Sequence, residues 1–115
     1  MIGLTLAALI AALHLWILVL EMFRWEHPRT RAIFGTDAEF ARRSRVMAAN
    51  QGLYNGFLAA GLIWGLCRGD HAAILFFLAC VAVAGVFGGW TASRRILFVQ
   101  AVPAILAALL ILAGI

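Results

Sequence analysis

Two ionisable residues and a block of amides are the groups in this chain that could do chemistry. Glu21 and His14 lie in one apolar run and, at helical spacing, share a stripe with Leu18 and Trp25. A carboxyl and an imidazole can carry charge or relay a proton. Their separation along a helix is ~10 Å, so both cannot touch one reacting atom. Asn50, Gln51, Tyr54 and Asn55 open a second apolar run, and Gln100 stands near the start of the last one. Hydrocarbon penalises such groups unless they find partners. They suit two tasks: orienting a small ligand by hydrogen bonds, or gluing helices, at ~0.6–1 kcal/mol per interhelical bond.

The elements that must position these groups are apolar helices. Of 115 residues, 65% are hydrophobic and 12% charged; a soluble domain carries about 25% charged residues. Four runs, Ile2–Phe23, Val46–Leu66, Ala72–Trp90 and Ile96–Ile115, approach the ~20 residues a spanning helix needs. The expected fold is all-α, a single four-helix transmembrane bundle with helices at about 2–23, 37–66, 72–90 and 95–115. The first run lacks a positive n-region and a small-x-small cleavage site, so it reads as a retained helix.

Charge sets the orientation. All nine basic residues are Arg. Arg24, Arg29, Arg31, Arg42, Arg43 and Arg45 lie between the first two runs, and Arg94 and Arg95 between the last two. Only Arg68 lies between the middle pair. The positive-inside rule then makes the Arg-rich connections cytoplasmic and puts both termini outside, in a multi-pass protein of the cell (inner) membrane. The partner implied is the lipid bilayer, with anionic lipid near the Arg-rich side. No Arg-aromatic surface pattern points to nucleic acid. Cys67 and Cys80 are too far apart for a disulfide, and no Cys/His spacing resembles a zinc site. No metal or cofactor is named by the sequence.

Local signals refine the helices. Pro28 stops the first helix, leaving Arg24 to about Gly35 as a loop. Thr36-Asp37-Ala38-Glu39 has capping-box form with Thr36 as N-cap. The second helix would then be ~45 Å long and must project or tilt. On it, Asn50, Gln51, Tyr54 and Asn55 fill an arc of ~140°. Gly52 and Gly56 lie on a small-residue face, and Leu53, Phe57 and Trp64 on a lipid face. Gly85 and Gly89 make a second small-residue face in the third helix. Either glycine face could serve a homo-oligomer. Trp25 is placed as an interfacial anchor. Pro103 is a candidate kink, and Gln100 is expected to point into the bundle. Glu21 either snorkels to pair with Arg24 or Arg95, or belongs to a polar cavity.

Three blocks carry a resemblance. Glu21-Met22-Phe23-x-Trp25, the run from Asn50-Gln51-Gly52 through Tyr54-Asn55-Gly56-Phe57-Leu58-Ala59 to Gly61, and Gln100-x-x-Pro103-Ala104 resemble the DUF1304 family of small four-helix membrane proteins with no assigned function. The resemblance supports the four-helix fold and carries no reaction. Phe87 stands where that pattern would have a Tyr, removing a hydroxyl.

Three readings stay open. The first is binding or transport of a small molecule or ion through a cytoplasm-facing polar cavity. In it Glu21 is the charge or proton site, His14 a relay at the floor, and Asn50, Gln51, Tyr54, Asn55 and Gln100 the orienting shell. The second is an intramembrane enzyme acting on a lipid or isoprenoid. The third is a structural or assembly subunit in which the amides are glue.

Overall fold

The computed structural model describes residues 1–115. It is all helical. Five helices follow in order: α1 (Ile2–Phe23), α2 (Pro28–Phe34), α3 (Ala38–Arg68), α4 (His71–Thr91) and α5 (Arg94–Leu112). The expected count of four is therefore corrected by α2, a short helix within the segment 24–35 that reads as loop. Pro28, which ends α1's reach, also occupies the first turn of α2, where its missing N–H costs nothing. His27 caps that turn: its Nδ1 accepts from the Arg29 N–H at 3.1 Å. Gly35 closes the helix at φ 70°, a left-handed conformation that glycine adopts without penalty.

Three helices, α1, α4 and α5, are long and apolar enough to cross a membrane. α3 is the longest, at 31 residues, but its N-terminal turns carry Glu39, Arg42, Arg43 and Arg45, and its middle carries the amides. The N-cap of α3 is Asp37 rather than Thr36: Asp37 Oδ1 accepts from the Phe40 N–H at 2.8 Å. The Thr36 N–H is instead used in closing α2, donating to Arg31 O at 3.0 Å.

The chain packs as two compact units. The first comprises residues 1–12 and 58–115: the opening turns of α1, the closing half of α3, α4 and α5. Its core gathers Ala7, Ile10 and Ala11 with Leu62, Ile74, Leu78, Val81, Ala104, Ala107 and Ile111. α3 turns into α4 through Gly69 at φ 63°, and Asp70 Oδ1 caps α4 by accepting from the Ala73 N–H at 3.1 Å. A Cβ at Gly85 would meet the backbone of Ala101 at 2.9 Å from its Cα. The small residue is therefore what lets α4 and α5 approach so closely. The two free thiols, Cys67 and Cys80, are unlinked, as expected.

α5 is not uniform. Residues Leu97–Ala101 form a π turn, and the Val102 N–H reaches back to Leu97 O. Pro103 has no N–H and its ring crowds the carbonyl one turn earlier. A wider turn just before it absorbs that conflict, so the expected kink takes the form of a π bulge.

The second unit is residues 13–57: the closing half of α1, α2 and the opening half of α3. Trp25 ties it together. Its indole N–H donates to Ser44 Oγ at 3.0 Å, and its ring meets Phe34 edge-on at 5.0 Å between centroids. Trp25, just past the end of α1, thus links α2 to α3. Leu53 and Phe57 are exposed in this unit.

Candidate functional site

Glu21 lies in the last full turn of α1 and is 1% exposed. The Gln51 side-chain amide donates to Oε2 at 2.8 Å. The Asn55 amide donates to Oε1 at 2.7 Å. Gln51 and Asn55 are four residues apart on α3, so they stand one above the other on a single line and reach both oxygens of one carboxyl. Arg24 makes no ion pair with Glu21, and the one ion pair in the chain is Glu39–Arg42 on the surface. The snorkelling expectation for Glu21 is therefore overturned. Its carboxyl turns inward because two amide donors are aimed at it.

Gly52 makes that geometry accessible. A Cβ there would meet Met22 Cγ at 2.8 Å, Glu21 Cβ at 3.0 Å and Leu18 O at 3.3 Å. Gly56 faces the Leu18 side chain in the same way. The glycine stripe brings α3 against α1, and only at that distance can Gln51 and Asn55 span to Glu21. Both glycine faces expected to serve a homo-oligomer are filled within the chain: Gly52 and Gly56 by α1, Gly85 and Gly89 by α5.

Beside Glu21 an open cleft of ≈ 590 Å³ runs between residues 21–27 and one face of α3 at residues 45, 46, 49 and 50. Its lining carries both signs of charge, Glu21 and Glu26 against Arg24 and Arg45, with Asn50 as a neutral polar group. Phe23 and Val46 add an apolar border and are exposed.

The family described as "Protein of unknown function (DUF1304)" matches residues 8–112. The chain belongs to the DUF1304 family. The chain is also similar to the "Uncharacterized protein YpaA" of Lactococcus lactis subsp. lactis (strain IL1403), 29% identical over 106 residues, which is 89% of each chain. No solved structure matches it.

In this DUF1304 protein the sequence-predicted residues divide. Glu21, Gln51 and Asn55 form one hydrogen-bonded group. Asn50 borders the cleft, but its amide donates to Val46 O on its own helix at 2.9 Å. Tyr54 does not join them. It is 65% exposed and packs edge-on against Phe57. The ~140° arc was too broad for one contact, since a helix meets a single neighbour along a narrower stripe. His14 is fully buried on the same face of α1 as Glu21, two turns away. Gln100 lies in the other unit, in the π turn of α5, half-buried.

The sequence reading missed Arg45 as a neighbour of the site, and named Arg24 only as a pairing partner for Glu21 and Trp25 only as an anchor. Arg24 and Arg45 read as orientation charges, and nothing in their spacing separates a cleft arginine from a loop arginine. For Trp25 a signal existed: it shares the helical stripe of His14, Leu18 and Glu21.

Proposed function

We propose that this protein is a multi-pass membrane protein that binds a small molecule at the cleft beside Glu21, on the cytoplasmic side. The observation that carries the proposal is the buried Glu21 carboxyl, met by two neutral amides and no cation, at the wall of a cleft large enough for a small molecule. A buried carboxyl held this way is costly unless it has a use. In this reading Glu21 is the charge or proton site. Gln51 and Asn55 fix its orientation, Asn50 lies at the mouth, and His14 lies deeper along the same stripe.

The bilayer arrangement rests on α1, α4 and α5 as spans, with α3 as a fourth that crosses behind its own arginines. The bias of eight Arg to one supports cytoplasmic connections on the α1–α3 and α4–α5 sides. The Ile2 N–H donates to Ile115 O at 2.8 Å, which supports placing both chain ends on one side.

Native mass spectrometry of the protein extracted with its own lipids tests the binding reading. Wild type should hold a defined non-protein mass, and Asn50→Trp, which fills the cleft from an exposed position, should lose it while staying folded. An equal mass in both, or none in either, would contradict the reading.

One observation favours a second reading. Glu21, Gln51 and Asn55 satisfy one another directly, which is also what a helix clamp would do. In that case the group holds α1 to α3 and no ligand is needed.

A further inference from the structure

We propose that the ligand of the cleft is a zwitterion in which an anion and a primary ammonium are held a few atoms apart, as in an ethanolamine phosphate headgroup; this rests on the cleft being a binding site. The charges that line the cleft do not satisfy one another. Arg24 and Arg45 form no ion pair, and neither does Glu21; the one pair in the chain lies elsewhere, between Glu39 and Arg42. Opposite charges that share a cleft unpaired are complementary to a ligand carrying both signs in the reverse order. Two arginines suit a phosphate, which accepts from guanidinium groups at close range. Glu21 has lone pairs left after its two amide bonds, because a carboxylate offers about four acceptor sites. With Asn50 beside it, that corner suits a cation that also donates hydrogen bonds, which a primary ammonium does and a quaternary one does not.

The position agrees with an amphiphile. The cleft begins at the last turn of α1, a helix long and apolar enough to span, and continues into the polar turn Arg24–His27. Headgroups lie at that depth. Phe23, 73% exposed, and Val46, 67% exposed, border it on the apolar side, where acyl chains would run.

The test is native mass spectrometry of the full chain in detergent, with phosphatidylethanolamine, phosphatidylglycerol and phosphatidylcholine added at equal concentration. Wild type should retain phosphatidylethanolamine about fivefold or more over both others. Glu21→Gln should bring phosphatidylethanolamine down to the level of phosphatidylglycerol without reducing the latter. Arg24→Ala/Arg45→Ala, at two exposed positions, should reduce retention of all three. Soluble glycerophosphoethanolamine separates the sources: competition by it at matched concentration assigns the site to free headgroups, and no competition assigns it to the lipid. Equal retention of the three lipids by wild type, or a preference unchanged in both variants, overturns the zwitterion. If another mass from native membranes is still lost in Asn50→Trp, the cleft remains a binding site and only the ligand class fails. If no mass depends on the cleft, both readings fail together.

Discussion

The Asn55 side-chain nitrogen lies 2.7 Å from Oε1 of Glu21, linking the middle of α3 to the end of α1. Gln51 holds the other oxygen at 2.8 Å. Removing one donor leaves a buried carboxyl oxygen without its partner, and hydrogen bonds to charged groups contribute about 1.5–3 kcal/mol. Asn55→Ala should therefore lower the thermal midpoint in detergent clearly, and Asn55→Asp should lower it further by placing two carboxyls together. An unchanged midpoint for Asn55→Ala would mean that the bond contributes nothing to stability.

Gly52→Ala should destabilise the contact between α1 and α3, because the new methyl meets Met22 Cγ, Glu21 Cβ and Leu18 O. Overpacking of this kind costs about 1–3 kcal/mol. Gly35→Ala has open space around it, so it feels only the φ of 70° and should cost about 1–2 kcal/mol. Combining Gly52→Ala with Asn55→Ala separates the effects further. The two substitutions should be less than additive if Gly52 acts by admitting the amides. Additive losses would show that the glycine and the hydrogen bond act independently.

Gly85→Ala should be more damaging than Gly88→Ala. The first sets a methyl against the Ala101 backbone, which cannot move away cheaply. The second meets Ile96 Cγ2 at 2.9 Å, a side-chain methyl rather than backbone, which gives way more readily. Thermal unfolding of the two variants side by side gives the order, and the reverse order would argue against the close approach of α4 and the π turn.

Trp25→Phe keeps the ring against Phe34 and loses the N–H donated to Ser44. Ser44→Ala loses the same bond from the other side. Each should cost about 1 kcal/mol, and the double variant should cost little more than either alone. A fully additive double variant would mean that the two residues are not coupled.

Cys67 is exposed one residue before the end of α3, near the α3–α4 turn. In the proposed orientation, with both chain ends outside, that turn is outside as well. A membrane-impermeant thiol reagent should label Cys67 in intact cells, and Cys67→Ser should abolish the signal. Labelling only after lysis would reverse the proposed orientation.

Much of the helical layout was legible in the sequence because apolar runs of spanning length leave few alternatives. α1 begins and ends where its run does, and α3 starts one residue from its expected position. α2 escaped although its signals were present. Pro28 and Gly35 mark the first turn and the left-handed close of a short helix, but Pro28 also explains the end of α1, and one explanation hid the other. The site was legible as a set of polar residues and not as a partnership. Glu21, Gln51 and Asn55 converge because Gly52 admits α1 to α3, a distance that no single-helix projection contains. Tyr54, three residues from Gln51 on the same arc, turns outward to Phe57.

The most direct measurement compares wild type, Glu21→Gln and Asn50→Trp by native mass spectrometry and thermal unfolding together, each extracted in its own membrane lipid. A bound non-protein mass present in wild type, sharply reduced in Glu21→Gln and absent from Asn50→Trp, with Asn50→Trp unfolding at the wild-type temperature, is the expected result. No bound mass in wild type, with Glu21→Gln unfolding much earlier, would contradict it and leave the Glu21 group as a clamp between α1 and α3.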